Sequence, residues 1–405
     1  MKTVAIITEY NPFHNGHQYQ IDALRDSFDE QIAIIAIMSG NFTQRGELAV
    51  ADKLIRAKAA VECGVDLVLE LPFPYSMSSA EFFARGGVYI ADRLGVVDYL
   101  AFGSEIGDIH SLKTVARNMS SAEFSDRLAS YISDKKYASL GYPALCERAY
   151  CDIFGEHIDN EFFSPNNILA VEYIKAIDHL GSSIEPITIK REGAGYSDLK
   201  LENTHLQSAT AIRAMMAEDP VSALDYVPDN AKTVYTAAID DCLMPTDQAR
   251  LDAAVISFFR LSSPEHSCDI HDGMGGLYNR LCDMSADTDT ISSLTSKTET
   301  KRYTKARIRR VIWNSYFGVT SSDVCSYPQY TQILAMNGTG RSLLKRIKKM
   351  TDFPVITKPS DYDKYSDAVV RQKSLADRAD SVFALAHKKT VSGRFSLRLT
   401  PYVKK

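Results

Sequence analysis

The chain has 405 residues, of which 45% are hydrophobic and 24% are charged, and its formal net charge is -5. This composition is typical of a globular protein with enough apolar material for two or three domains. The weak negative charge excludes a general electrostatic attraction to nucleic acid, so an RNA site has to be a local basic patch. No apolar run approaches the roughly 20 residues of a membrane-spanning helix.

The N-terminus and the cysteines both favour a cytoplasmic protein. Met1, Lys2 and Thr3 lead directly into an apolar strand pattern, so we expect no signal peptide and no membrane association. The seven cysteines are odd in number and form no C-x-x-C pair, which argues against a disulfide framework and a zinc site. We expect reduced cysteines, with Cys63 as a small core residue, and no protein-bound metal.

The first half of the chain alternates strand and helix patterns. The sequence predicts strands at residues 3–8, 31–38, 66–71, 98–102 and 185–191, and helices at 16–28, 52–63 and 78–94. Residues 31–38 form a continuous apolar run, which is typical of a strand buried on both faces. This order predicts an α/β fold, a Rossmann-like parallel sheet with helices on both faces, over residues 1–235.

A His-x-Gly-His turn follows the first predicted strand, at His14, Asn15, Gly16 and His17. Glycine lets the backbone approach a ligand, and the helix predicted to follow offers free N–H groups to a phosphate. The two imidazoles add donors that can stabilise charge while a phosphate–phosphate bond breaks. A surface turn without chemistry is the alternative, and the strand–turn–helix context favours the phosphate site.

Two later segments continue the α/β part. Residues 112–180 are predicted to be mainly helical, with Pro165 near the start of a helix that covers residues 168–180. Another helix is predicted to open at residues 207–213. Ser208 and Thr210 are either helix caps alone or, together with Arg213, ligands of the outer phosphates of a nucleotide.

Residues 236–405 are predicted to form a mainly helical domain. Residues 284–300 are rich in Ser, Thr and Asp and are predicted to be an exposed connection, and residues 390–405 alternate like a strand. Two basic helical segments, residues 301–310 and 341–349, are either solvated helix faces or a surface for a phosphate backbone. Their concentration in one half of an acidic chain favours RNA binding.

The two phosphate motifs resemble the paired H-x-G-H and S-S/A-T-x-x-R signatures of the nucleotidyltransferase α/β-phosphodiesterase superfamily. More narrowly, the chain resembles the bacterial tRNA(Met) cytidine acetate ligase family. The resemblance covers nearly the whole chain and is carried by residues 9–17 (EYNPFHNGH), 38–46 (MSGNFTQRG), 64–74 (GVDLVLELPFP), 101–105 (AFGSE), 164–167 (SPNN), 208–213 (SATAIR), 304–310 and 337–349. The chain departs from the family at Gln20, where many relatives carry another histidine.

The resemblance implies a ligase that uses ATP and acetate to form acetyl-adenylate. The acetyl group then passes to N4 of the wobble cytidine of elongator tRNA(Met). His14 and His17 are the implied catalytic residues, with Mg²⁺ expected on the phosphates. The implied ATP site consists of Ile7, Thr8, Glu9, Tyr10, Asn11, Pro12, Phe13, His14, Asn15, Gly16, His17, Gln18, Tyr19, Gln20, Gly103, Asn167, Arg191, Ser208, Thr210 and Arg213. The basic segments would bind tRNA through Lys305, Arg307, Arg309, Arg310, Arg341, Lys345 and Arg346.

Some assignments stay open at this level. Glu9, Asp52, Lys53 and Arg56 are expected near the crevice without an assigned acid–base role. An adenylyltransferase acting on a small cofactor precursor shares the phosphate chemistry but does not explain the basic helical half. A non-catalytic RNA-binding protein leaves the two histidines unexplained.

Overall fold

The computed structural model describes residues 1–137, 140–155, 160–191, 207–263, 269–359, 364–398 and 400–405. In these residues the strands are β1 (Lys2–Thr8), β2 (Ile32–Ser39), β3 (Leu67–Leu71), β4 (Tyr99–Ser104), β5 (Glu185–Lys190), β6 (Thr331–Met336), β7 (Val355–Ile356) and β8 (Tyr402–Val403). The α-helices are α1 (Asn15–Asp26), α2 (Lys53–Glu62), α3 (Ala80–Arg93), α4 (Ile109–Met119), α5 (Ala122–Ser133), α6 (Tyr142–Phe154), α7 (Pro165–Leu180), α8 (Ala209–Glu218), α9 (Asp229–Asp240), α10 (Asp252–Leu261), α11 (Leu277–Ser285), α12 (Ile291–Thr298), α13 (Lys305–Phe317), α14 (Ser321–Cys325), α15 (Gly338–Met350), α16 (Asp367–Phe383) and α17 (Phe395–Arg398).

The strands form one sheet in the order β5-β4-β1-β2-β3-β6-β7, with β8 paired to β6. The first five strands are parallel to one another, and β6 is antiparallel to β3. The order of these five strands reverses between β1 and β4, so the loops that follow β1 and β4 flank one crevice. The predicted parallel α/β sheet is confirmed, and its ligand crevice lies directly after the histidine turn.

Both faces of the sheet are covered by helices. Val4 and Ile6 of β1 face the core beneath α1, α2, α8 and α9, whereas Ala5 and Ile7 face the core beneath α3, α4, α7 and α15. The central strands β1, β2 and β3 are buried on both sides because their alternate residues enter two separate cores. This double burial explains the unbroken apolar run of β2, all of whose residues are buried.

Helices α10–α13 and α16 share a third core at the carboxyl ends of the strands. Phe42, in the loop after β2, meets the ring of Trp313 with centroids 5.2 Å apart. Phe73, in the loop after β3, meets Phe317 of α13 at 5.4 Å. The helical half is therefore attached to the loops that follow β2 and β3, at the same edge of the sheet as the crevice.

Strands β6 and β7 were not predicted, and together with β8 they join the sheet from beyond residue 235. The predicted division of the chain at residues 235 and 236 stays a prediction, but the sheet itself crosses that point. Residues 284–300 are not an exposed connection, because α12 occupies about half of them and buries Ile291 and Leu294 three positions apart. Residues 390–405 are only partly extended, because α17 precedes the short strand β8, which does cover the edge of β6.

Two further observations bear on the sequence predictions. Cys63 is a buried core residue, as expected, whereas Cys268 lies outside the described residues. In the part of the chain that the structure describes, no helix is both long enough and apolar enough to cross a membrane.

Candidate functional site

The turn between β1 and α1 presents both histidines. Tyr10 has a φ of 43°, a left-handed conformation that strains a residue with a side chain, and a cis peptide bond joins Asn11 to Pro12. The N–H of Phe13 donates to the hydroxyl of Tyr235 of α9 over 2.8 Å. The turn is therefore fixed by the helix beneath it, and α1 begins immediately after His14.

His14 and His17 cap the helix reciprocally. Nδ1 of His14 accepts the N–H of Gly16 at 3.0 Å, and Nδ1 of His17 accepts the N–H of His14 at 3.2 Å. The two rings stack with centroids 3.8 Å apart, and the ring of Tyr10 meets His17 edge-on at 4.9 Å. A Cβ at Gly16 would lie 2.9 Å from Cε1 of His14, so the glycine leaves room for this arrangement.

Both imidazoles are neutral at physiological pH. Burial, reinforced by Arg191 and Arg213, lowers the pKa of His14 to about 3. Burial, followed by His14 and Arg191, holds the pKa of His17 well below its usual value. Since each Nδ1 accepts a backbone N–H, each neutral ring carries its proton on Nε2. The site therefore offers two Nε2–H donors to an incoming anion.

Arg191 and Gly103 stand on the other side of the crevice. The N–H of Arg191, directly after β5, donates to the carbonyl of Ser104 at 3.0 Å. A Cβ at Gly103 would lie 3.1 Å from Cγ of Arg191, so Gly103 makes space for the arginine stem. Asn167, fully buried in the first turn of α7, accepts the N–H of Glu105 at 3.0 Å. These residues shape the wall that faces the histidines.

Arg213 connects the start of α8 to the histidine turn. Its guanidinium donates to the carbonyl of Asn11 at 3.0 Å, to the hydroxyl of Thr210 at 3.3 Å and to Glu47 at 3.2 Å. The hydroxyl of Ser208 accepts the N–H of Ala211, so in this structure it is a helix cap. The described residues thus bring Arg213 and Thr210 to the crevice together with the two histidines.

Glu9 and Arg56 organise the ends of β1 and β2. Arg56 is fully buried and donates to the carbonyls of Glu9, Ser39, Gly40 and Ala51 over 2.5–3.1 Å. Burial raises the pKa of the Glu9 carboxyl, although the N–H of Gln44, which donates to this carboxyl, and two nearby arginines act to lower it. Because all of its described bonds go to backbone carbonyls, Arg56 holds the crevice together and is not available to a ligand.

Lys53 is likewise structural. Its ammonium lies 2.6 Å from Glu70 and 2.6 Å from Asp380 of α16, and all three side chains are buried. The amide of Asn41 donates to Asp380 at 2.9 Å and to Asp52 at 3.2 Å. This buried cluster of Asn41, Asp52, Lys53, Glu70 and Asp380 joins the helical half to the loop after β2.

The remaining predicted ATP residues lie around the turn at different depths. Ile7 packs its side chain against Gly87 of α3, so only its backbone can face the crevice. Gln18 donates to Asp22 along α1, and Gln20 lies further along the same helix. Tyr19 is exposed.

The basic helix α13 lies beside the crevice, but its arginines already have partners. Arg309 pairs with Glu47, and Arg310 pairs with Asp272 at 2.9 Å. Arg307 donates to the carbonyl of Asp272 at 3.0 Å. Lys305 is more exposed and lies 3.5 Å from Glu299.

The basic helix α15 is different. Its exposed cations Arg341, Lys345, Arg346, Lys348 and Lys349 form no ion pair within the described ranges. The N–H of Asn337, directly before this helix, donates to the carbonyl of Asp66 at the amino end of β3. The free charge of α15 thus starts at the opposite edge of the sheet from the crevice.

Comparisons with known proteins agree with this geometry. The model of the HIGH Nucleotidyl Transferase family matches residues 1–395. A tRNA(Met) cytidine acetate ligase of Acetivibrio thermocellus is 34% identical over 401 residues, which cover 96% of each chain. A tRNA(Met) cytidine acetate ligase of Caldanaerobacter subterraneus subsp. tengcongensis is 36% identical over 393 residues, which also cover 96% of each chain. A crystal structure of Thermotoga maritima TmcAL bound with alpha-thio ATP matches with a TM-score of 0.90 and 31% identity, over 100% of this chain and 99% of that chain.

This chain belongs to the tRNA(Met) cytidine acetate ligase family. The predicted family membership is therefore confirmed. Within this family fold, the stretch MSGNFTQRG that carried part of the resemblance forms the loop after β2. Asn41 anchors this loop to the buried cluster, and Gly46, at φ 70°, accepts the indole N–H of Trp313 through its carbonyl.

The sequence did not single out Glu47, which is the main connector in this ligase-family site. Its carboxylate bonds to Arg213 on the crevice side and to Arg309 on the α13 side. Asp380 was also missed, because it belongs to no recognised motif, and Glu70 was not singled out although it lies within the family stretch 64–74. No group of three or more His, Cys, Asp or Glu side chains among the described residues could hold a metal ion.

Proposed function

We propose that this chain is an ATP-dependent ligase that activates acetate as acetyl-adenylate and acetylates N4 of the wobble cytidine of elongator tRNA(Met). The observation that carries the proposal is the convergence of two neutral histidines with Arg191 and Arg213 at the junction of β1 and α1. The relatives' names supply the substrate class, and the alpha-thio ATP of the Thermotoga maritima structure supports ATP as the nucleotide substrate.

In the first step an acetate oxygen attacks the α-phosphorus of ATP. The bond to the β-phosphate breaks, acetyl-adenylate forms and pyrophosphate leaves. The two Nε2–H groups of His14 and His17 would donate to phosphoryl oxygens as charge develops on them. Arg191 and Arg213 would pair with the outer phosphates, since a guanidinium binds phosphate as a fork.

In the second step the N4 amine of cytidine attacks the acetyl carbonyl. The bond to the adenylate phosphate oxygen breaks, AMP leaves and N4 loses one proton. The target base has to be reached outside a stacked duplex, which an anticodon loop permits. We expect Mg²⁺ on the phosphates of ATP, and we assign it no protein ligand because Glu47, the carboxylate nearest Arg213, is already bonded to two arginines.

The test combines purified protein, labelled acetate, ATP and unmodified tRNA(Met), followed by nucleoside analysis. We expect labelled N4-acetylcytidine with acetate and ATP, and none with acetyl-CoA in their place. Failure to form this nucleoside would overturn the proposal. Pyrophosphate release with nicotinamide or pantetheine phosphates would instead identify an adenylyltransferase for a small cofactor precursor, and RNA binding without either reaction would identify a binding protein.

A further inference from the structure

A polar cavity lies between the loop after β2 and the helical half. It has a volume of about 280 Å³, and its wall includes Glu47, Gln248, Ser292, Ser296, Lys305 and Arg309. The sequence motifs did not predict this cavity. It contains neither histidine, and Glu47 and Arg213 separate it from them.

The lining offers hydrogen-bonding groups that the protein itself does not use. Ser292 and Ser296 stand one turn apart on the exposed face of α12, and the described contacts give their hydroxyls no partner. The side chain of Gln248 is likewise unpaired among the described residues. Hydroxyl and amide groups can both donate and accept, so they suit the edge of a base or a ribose 2′-hydroxyl.

The cavity wall carries positive charge beside its polar groups. Lys305 and Arg309 contribute two positive charges, which are opposed by Glu299, 3.5 Å from Lys305, and by Glu47, which Arg309 shares with Arg213. The volume lies just below the roughly 300–1,000 Å³ of small-molecule pockets. Such a space suits one nucleobase and its sugar edge.

The position of the cavity relates its occupant to the reacting base. Arg309 in the cavity wall bonds to Glu47, Glu47 bonds to Arg213, and Arg213 donates to the carbonyl of Asn11 in the histidine turn. Glu47 and Arg213 therefore separate a group bound in the cavity from the histidine turn. It cannot be the cytidine that receives the acetyl group, but a neighbouring nucleotide of the same loop can reach it.

We propose that this cavity binds a nucleotide of the anticodon loop that flanks the target cytidine and thereby selects the tRNA. The inference rests on the proposed tRNA-modifying function and adds a specificity subsite to it. The base edge would bond to Ser292, Ser296 and Gln248, and the backbone phosphate would pair with Lys305 and Arg309. This division matches single-stranded RNA recognition, where base edges give sequence preference and cations bind the backbone.

The experiment blocks the cavity with a bulky side chain introduced at an exposed serine of its wall. Ser296→Phe and Ser292→Phe place a ring in the cavity, and Ser130→Phe, at an exposed serine of α5, is the matched control. The probe is a fluorescent anticodon stem–loop RNA of tRNA(Met), titrated by anisotropy. We expect the two cavity variants to raise its Kd on the order of tenfold, the loss of one nucleotide contact, and the control to leave it unchanged.

A second set of hairpins identifies the nucleotide. Each has one abasic position beside the target cytidine. For the wild type, one abasic position should weaken binding, and for Ser296→Phe the same change should have no further effect, because the two losses belong to one contact. Thermal melting of each variant reports whether its fold is retained.

Several outcomes would overturn the inference. One is a Kd for Ser296→Phe and Ser292→Phe equal to that of Ser130→Phe, and another is unchanged sensitivity to every abasic position. A raised KM for ATP in acetate-dependent ATP–pyrophosphate exchange would assign the cavity to the nucleotide substrate instead. If the wild type forms no N4-acetylcytidine while the cavity variants still lose RNA affinity, the RNA subsite stands and the ligase proposal fails.

Discussion

Replacing Lys53 by methionine tests whether the buried cluster of Asn41, Asp52, Lys53, Glu70 and Asp380 holds the loop after β2 to the helical half. The Lys53 ammonium bonds to two carboxylates, and the exposed fractions of Lys53, Glu70 and Asp380 are 2%, 3% and 6%. Burial alone would lower the pKa of Lys53, but Asp380 and Glu70 raise it above its usual value. The Lys53 ammonium therefore offsets the free-energy cost of burying the two carboxylates.

The magnitude follows from what the substitution leaves behind. Without the ammonium, two carboxylates remain buried, with the amide of Asn41 on Asp380 and the more distant charge of the buried Lys373 as partial compensation. Breaking a buried pair costs about 3–5 kcal/mol, a large part of the ~5–15 kcal/mol that stabilises a typical fold. Lys58→Met is the matched control on the same helix, since it removes a half-buried contact with the ring of Tyr402 worth about 0.5–1 kcal/mol and a charge near Glu62 but leaves no buried carboxylate unpaired.

The pH dependence gives a second criterion. Burial raises the pKa of Glu70, and Lys53 opposes that rise. In Lys53→Met the opposing charge is gone, so the folded-state pKa moves further above the unfolded value. A raised carboxyl pKa contributes stability that is fully present below the unfolded pKa and is lost as pH rises through the folded pKa. The deficit of Lys53→Met should thus be larger at pH 8 than at pH 5.

Thermal unfolding of wild type, Lys53→Met and Lys58→Met at several pH values measures both effects. At pH 8 we expect the Tm of Lys53→Met to fall by roughly 5 °C or more and that of Lys58→Met by about 1 °C. The triple variant Lys53→Met, Glu70→Gln, Asp380→Asn should recover most of the loss, because it leaves no uncompensated charge. A loss no larger than the control, or one independent of pH, would refute this reasoning.

Three further predictions concern the reaction and the RNA. His17→Ala should slow acetate-dependent ATP–pyrophosphate exchange by about 10²-fold, the usual effect of removing one transition-state donor, while hairpin affinity stays unchanged; lost RNA binding would mean that the site is misplaced. In the enzyme without substrate both histidines have a pKa far below neutrality, so kcat/KM for ATP should show no histidine inflection between pH 6 and 8. An inflection there that disappears in His17→Ala would contradict the assigned protonation state. Neutralising Arg341, Lys345 and Arg346 to glutamine should reduce the salt slope of full-length tRNA binding by about 2 without changing the Tm, and an unchanged slope would make α15 a solvated helix face.

The parts of the molecule that the sequence predicted are local. His14 and His17 were found because a strand, a turn and a helix start lie within a few residues of one another. The parallel order of β1–β5 followed from alternating patterns whose spacing is set by backbone geometry. Gly103 and Arg191 were assigned by resemblance alone, and the structure shows them in contact across β4 and β5.

The parts that were missed depend on distant partners. Lys53 and Asp380 are 327 positions apart, and Glu47 and Arg309 are 262 positions apart. A single sequence contains no pattern that joins such pairs, so Lys53 was assigned to the crevice and Glu47 was overlooked. Strand β6 was missed for a related reason, since it lies in a helical half and pairs with β3 from more than 260 positions away.

The two basic helices differ in what they can contribute to RNA binding. The charges of Arg309 and Arg310 are compensated by Glu47 and Asp272, so α13 exerts only a weak long-range attraction on a phosphate backbone. Its contribution to RNA binding comes instead from the shape of the loop after β2 and of the cavity beside it. The charges of α15 are uncompensated, but they start beside Asp66, at the far end of β3. Five strand residues separate the two edges by roughly 17 Å, so the start of α15 lies at a distance from a base that occupies the crevice. The cations of α15 should therefore affect the affinity of full-length tRNA more than that of the hairpin, whereas the cavity variants should affect both.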